Sequence, residues 1–263
     1  MSNGIIQLSI IQLSIAYGLV LIVFLLLRIR KIPHQKLLFL ATFRMSLQLV
    51  LVGYILIYLF DTQNPYFTVI IIIIMQAFSI YTILKRFKDK LSNALIKVIV
   101  IAFPGATLSV LFYFLFLIVQ ITPWYNPQYF IPLAGMIVGN SMTGVILGLS
   151  QMIQALHQQR EHIEEALILG ADVSQAMKPV IDQSFSNAII PTLNTMLGMG
   201  IVFLPGMMTG QILSGVSPLT AISYQIAIML GILTTVSLSV LLILYFGSKT
   251  YFNSQSQLIQ KKD

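Results

Sequence analysis

Seven apolar runs, each long enough to cross a lipid bilayer as a helix, occupy most of this chain: residues 6–27, 37–60, 66–84, 95–121, 130–150, 188–212 and 218–246. A helical span takes about 20 apolar residues, so a chain with this many has few folds open to it. The runs are continuous and lack the alternation of an outer-membrane barrel strand. They predict an all-α, polytopic membrane protein with about seven transmembrane helices in a single domain over residues 1–263. Composition agrees: 57% of residues are hydrophobic and 9% charged, too little charge to cover a soluble domain. No basic residue precedes the first run, and the run is longer than the apolar region of a signal peptide. It therefore reads as a retained first helix.

The basic residues predict how the chain is threaded. Arg28, Arg30, Lys31 and Lys36 fall in one connection and Lys85, Arg86, Lys88 and Lys90 in another. Arg160 and Lys178 lie in the segment 151–187, and Lys249, Lys261 and Lys262 follow the last run. The alternate connections 61–65, 122–129 and 213–217 hold no Lys or Arg. Lys and Arg collect on the cytosolic side of a cell membrane. This places the N-terminus outside and the C-terminus and the segment 151–187 in the cytosol. The net charge of +7 is explained by topology, and nothing resembles a nucleic-acid module.

The segment 151–187 is the one long polar stretch. Within it, residues 158–170 read as a short helix: Ile163, Ala166, Leu167 and Gly170 share a face, while Arg160, Glu161, Glu164 and Glu165 form a charged surface. Gly170 suits a helix end, and Asp172 with Gln175 reads as a capping box for a second helix. Pro179 is expected to limit or kink that helix. The first helix has two readings. It could lie on the membrane surface, although its acids suit an anionic leaflet poorly. It could also act as a coupling helix that docks in a groove of a cytosolic partner, with small Ala166 and Gly170 allowing close approach.

Polar groups at membrane depth are the candidate transport residues. Arg44 lies inside the second run with Gln48 one turn on; it either snorkels to the interface or faces the interior. Asn140 in the fifth run needs a partner if buried, while Gly135, Gly139 and Thr143 and, on another register, Gly144 and Gly148 suit close helix packing. Pro191 and Pro205-Gly206 are expected to break the sixth run, as broken helices do along transport paths. Asn194, Met196, Met199, Met207, Met208, Thr209 and Gln211 cluster there, for packing or for weak ligation. With no cysteine in the chain and His34, His157 and His162 all outside the runs, no tight metal cage can be assembled. The residues that would touch a metal are left open. No HExxH, serine triad or intramembrane acid pair points to an enzyme or a proton-coupled carrier.

Two resemblances add to this. Glu164-Glu165-Ala166-x-x-x-Gly170 resembles the E-A-A-x-x-x-G coupling loop of bacterial ABC importer permeases, with Glu165 where that motif has alanine. Residues 132–142 (PLAGMIVGNSM), Leu169-Gly170-Ala171, 190–194 (IPTLN) and 204–215 (LPGMMTGQILSG) are similar to the FetB-like family, permeases of an iron-export ABC transporter related to plant aluminium-tolerance proteins. That resemblance implies a permease without its own hydrolytic activity and with no cofactor of its own. ATP and Mg would be bound by a separate cytosolic ATPase docking at Arg160, Glu161, Glu164, Glu165, Ala166 and Gly170. It also implies a homodimer in the cell membrane that exports iron. The candidate substrate path, read from the polar groups and helix breaks above, runs past Arg44, Gln48, Asn140, Asn194, Met199, Pro205, Gly206, Met207, Met208, Thr209 and Gln211. The alternatives are an ATP-independent channel or secondary carrier and, more remotely, a non-transporting scaffold.

Overall fold

The computed structural model describes residues 8–62, 64–88, 91–253 and 255–258. Lys90, Lys261, Lys262 and the start of the first apolar run lie outside them. The helices are α1 (Ile10–Ile29), α2 (Gln35–Thr62), α3 (Pro65–Arg86), α4 (Asn93–Tyr113), α5 (Pro127–Gln158), α6 (Arg160–Ile168), α7 (Val173–Gly198), α8 (Gly206–Leu213) and α9 (Pro218–Ser248). A π-helical turn, Phe114–Val119, extends α4. Two compact units result. One comprises Met1–Asn64 with Leu213–Val216, and the other Pro65–Ile212 with Ser217–Asp263.

In the first unit, α1 lies against α2, and a Tyr17–Ser46 hydroxyl hydrogen bond joins them. No residue of α1 is buried within the chain. Most of its leucine and isoleucine side chains are exposed, as a helix in contact with acyl chains requires, while Val20, Phe24 and Leu27 are half-buried.

The second unit holds the core. Phe103, Phe114 and Phe130 are fully buried. Close helix approach depends on glycine. A Cβ on Gly144 would stand 2.7 Å from Val236 Cγ1, and one on Gly148 would stand 3.0 Å from Val240 Cγ1 and 3.5 Å from Ala188 Cβ. These pairings make α5 and α9 parallel. Gly247 meets Leu95, and Gly231 meets Phe114, so α4 runs antiparallel to α9. Two side-chain bonds tie α3 into the unit. Thr68 Oγ1 donates to the Tyr125 carbonyl at 3.0 Å, and Gln76 Nε2 donates to Thr107 Oγ1 at 2.8 Å. In a bilayer, where apolar burial gives no net drive between helices, tight small-residue packing and interhelical hydrogen bonds hold the bundle together.

The fold is all-α and polytopic, as expected, but the expected sixth span is built differently. Six helical segments among the described residues are long and apolar enough to cross a membrane: Ile10–Ile29, Gln35–Thr62, Pro65–Arg86, Asn93–Val119, Pro127–Gln158 and Pro218–Tyr251. The run 188–212 is not one helix. Its first half is the end of α7, and its second half is an irregular turn over residues 199–205 followed by α8. Pro179 and Pro191 do not stop α7, so the expected helix break at Pro191 is not found and Pro179 does not limit the helix. Each removes one ladder hydrogen bond, yet both lie on the exposed side of the helix. There the freed carbonyls of Gln175 and Asn187 can meet water or another protein surface. The polar stretch 151–187 is likewise no separate loop: α5 runs on to Gln158, and α7 begins at Val173.

Candidate functional site

The short helix expected over 158–170 is α6, Arg160–Ile168. Ile163 is buried, and Ala166 and Leu167 are half-buried against the core. The helix ends in a Schellman turn: Ala171 N–H bonds the Ala166 carbonyl at 3.0 Å, and Gly170 N–H bonds that of Leu167 at 3.1 Å. Gly170 has φ +95°, a conformation that costs a residue with a Cβ. The expected capping box follows directly. Gln175 N–H donates to Asp172 Oδ1 at 2.7 Å, and Asp172 N–H donates to Gln175 Oε1 at 3.1 Å. A single residue, Gln159, separates α6 from α5, and Leu169–Asp172 separates it from α7.

The outward surface of α6 is acidic, with one arginine against three glutamates. Arg160 Nε donates to Glu164 Oε1 at 2.8 Å. Glu161 and Glu165 are exposed, the latter 3.6 Å from His162 Nδ1. At the end of the helix, Ile168 and Leu169 are 84% and 87% exposed. Two large apolar side chains are thus held in the open at the Gly170 turn, beside acidic groups.

The residues expected at membrane depth are distributed as follows. Arg44 and Gln48 lie on the exposed side of α2, in a shallow groove of about 380 Å³ shared with Leu37, Leu40 and Met45. Asn140 is not buried: it is exposed on α5, and its Nδ2 donates to the Met136 carbonyl of its own helix at 2.7 Å. The amide finds an acceptor within its own helix, on the second lone pair of the Met136 carbonyl one turn back. Asn194 is exposed on α7. Met199 sits where α7 ends. Together with Met196 and Met207 it packs on the hydrophobic core, and Met208 is buried. Gly206 begins α8 directly after Pro205, Thr209 Oγ1 donates to the Pro205 carbonyl at 3.1 Å, and Gln211 is half-buried. Among the described residues no group of His, Cys, Asp and Glu is assembled that could hold a metal ion.

The structure adds what the sequence reading missed. Asn140, Thr143, Leu147, Ser150, Gln154 and His157 recur at spacings of three and four, and all are exposed. They form one open, charge-poor polar stripe along α5. On the adjacent α7, Gln183, Ser186, Ile190, Asn194 and Leu197 form a second. The spacing was visible in the sequence, but Gly139 and Thr143 read as packing positions, whereas Gly139 has nothing within 4 Å of its Cβ position and Thr143 is exposed. The buried Gln76–Thr107 bond was also missed, since two neutral residues in distant helices give no local signal.

A family model described as "Uncharacterised protein family (UPF0014)" matches residues 10–252. The chain is 37% identical over 216 residues to the UPF0014 membrane protein slr1647 of Synechocystis, spanning 82% of this chain and 83% of that one. It is 32% identical over 248 residues to the "Probable iron export permease protein FetB" of Escherichia coli, 94% of each chain. It is 29% identical over 215 residues to the Protein ALUMINUM SENSITIVE 3 of Arabidopsis thaliana, 82% of this chain and 77% of that one. No solved structure matches it. With its apolar helices and these full-length similarities, the chain is a multi-pass membrane protein and belongs to the UPF0014 family.

Proposed function

We propose that this chain is the permease of an ATP-driven exporter and that a separate cytosolic ATPase of the ATP-binding-cassette class drives it through α6. The observation that carries the reading is the placement of α6 between the ends of two long helices, tied to both by short connections. A push on α6 is delivered as a torque on α5 and α7 together. Those are the two helices whose open faces carry neutral polar groups, so the push reorients a polar surface. Arg160, Glu161, Glu164, Glu165, Ala166 and Gly170 form the docking element, and ATP and Mg are bound by the partner. The basic residues support an N-terminus outside and α6 in the cytosol of the plasma membrane.

The polar stripes of α5 and α7 suit lipid poorly. Facing a second copy of the chain, they would enclose a hydrated route, which favours a homodimer. Asn140 and Asn194 line this route, with Met199, Pro205, Gly206, Met207, Met208, Thr209 and Gln211 at its broken end; Arg44 and Gln48, on the exposed side of α2, are the polar candidates within the first unit. Amide and hydroxyl oxygens fit a cation that keeps part of its hydration shell. The relative named as a probable iron export permease supports iron as the cargo.

The test is reconstitution. Vesicles holding the chain and its ATPase should move ferrous ion only with ATP, and Asn140→Leu with Asn194→Leu should slow that movement without lowering ATPase binding. Ion flux through the purified chain alone would replace this reading with an ATP-independent channel or carrier.

A further inference from the structure

The segment after α9 folds back beside α6. Phe252 and Leu258 form an antiparallel bridge, and both pack on the core. Asn253 organises the turn between them: its Oδ1 accepts from the N–H groups of Gln255 at 3.0 Å and Gln257 at 2.8 Å, and its Nδ2 donates to Gln257 Oε1 at 3.0 Å. Ser256 is held at φ +60°. The turn is therefore a built feature, anchored by two apolar residues and presenting Gln255, Ser256 and Gln257 outward.

Between this turn and α6 lies an open groove of about 520 Å³. Its apolar lining is Leu167, Ile168, Ala171 and Leu258, and the side toward the turn is lined by Gln255, Ser256 and Gln257. The other side carries Arg160 and Glu164, which neutralise each other at 2.8 Å. Among the described residues, the acids of Glu161 and Glu165 are exposed on α6 outside the groove lining.

We propose that this groove, and not α6 alone, receives the cytosolic ATPase, with the turn 255–258 as the second wall of the docking site. The proposal rests on the reading of α6 given under Proposed function. The occupant that fits is a protein helix with an apolar ridge and Lys or Arg on its flank. The ridge would cover Leu167, Ile168 and Leu258, the amide wall would take its polar edge, and the basic flank would meet Glu161 and Glu165. This arrangement has a mechanical consequence. The turn is joined through Lys249–Tyr251 to α9, whereas α6 is joined to α5 and α7. A partner seated in the groove holds α6 against the end of α9, so its movement acts between the core helix and the two polar helices.

The chain contains no cysteine, so single cysteines report cleanly. Ile168→Cys, Gln257→Cys and, as a distant control, Tyr66→Cys are labelled with a benzophenone maleimide in the complex purified with its co-expressed ATPase, then irradiated. Adducts with the ATPase from both Ile168→Cys and Gln257→Cys, and none from Tyr66→Cys, are expected. The paired change Gln255→Arg with Gln257→Arg should weaken association about tenfold, because it opposes a basic flank. An adduct from Ile168→Cys with none from Gln257→Cys overturns the second wall and leaves docking on α6 intact. The absence of both adducts in a complex that does form overturns the groove and the α6 reading together.

Discussion

Gly144 on α5 faces Val236 on α9 so closely that a Cβ at Gly144 would stand 2.7 Å from Val236 Cγ1. Valine is stiff about its first side-chain torsion and cannot swing clear. Gly144→Val is therefore expected to cost about 1–3 kcal/mol through overpacking. Gly139, one turn and a residue earlier, has nothing within 4 Å of its Cβ position. Gly139→Ala should be neutral or slightly stabilising. Thermal unfolding in detergent separates the two, and equal losses would refute the asymmetry.

Gln76 and Thr107 form an asymmetric pair. Gln76 Nε2 donates to Thr107 Oγ1, whose own proton goes to the Phe103 carbonyl at 2.8 Å, while Gln76 Oε1 has no partner among the described residues. Thr107→Val strands the buried amide and should destabilise by about 1 kcal/mol. Gln76→Leu removes a buried, half-satisfied amide and leaves the threonine bonded, so it should cost less or stabilise. A larger loss from Gln76→Leu, in stability or in transport with stability unchanged, would show that the open oxygen has a use.

Gly170 at φ +95° closes α6. A β-branched residue there pays about 1–2 kcal/mol for the left-handed backbone. Gly170→Val should fray the last turn and displace Ile168 and Leu169. The expected result is a folded protein with unchanged melting temperature to within a few degrees and weakened ATPase association. Association that survives intact would argue that the turn needs no fixed geometry.

α5 is long and apolar enough to place its two ends on opposite sides of a membrane. Its 32 residues rise about 48 Å, well beyond the roughly 30 Å hydrocarbon layer. With Asn126→Cys or Gln159→Cys in the cysteine-free chain, an impermeant maleimide should label only Asn126→Cys on intact cells, and Gln159→Cys only after permeabilisation. The reverse pattern would invert the topology and remove α6 from any cytosolic ATPase.

The Arg160–Glu164 pair is exposed at 37% and 42% of its side chains. Such pairs contribute about 0–1 kcal/mol. Glu164→Ala should leave stability unchanged, whereas Glu165→Lys, which disturbs no interhelical bond, should lower ATPase association in a pull-down. A loss of folded protein in either variant would assign α6 a structural role.

Much was readable from residue order alone: the apolar runs, the all-α class, the helix at α6, the Gly170 stop and the Asp172–Gln175 cap. Each rests on hydropathy or on bonds spanning only a few residues, so neighbouring residues suffice to specify it. Tertiary structure decided the rest. It carried α7 unbroken through Pro179 and Pro191, exposed Asn140 along a polar stripe, closed the Gln76–Thr107 bond and folded the segment after α9 against α6. These outcomes depend on which helix covers which face and on partners far apart in the chain, and no local pattern encodes that.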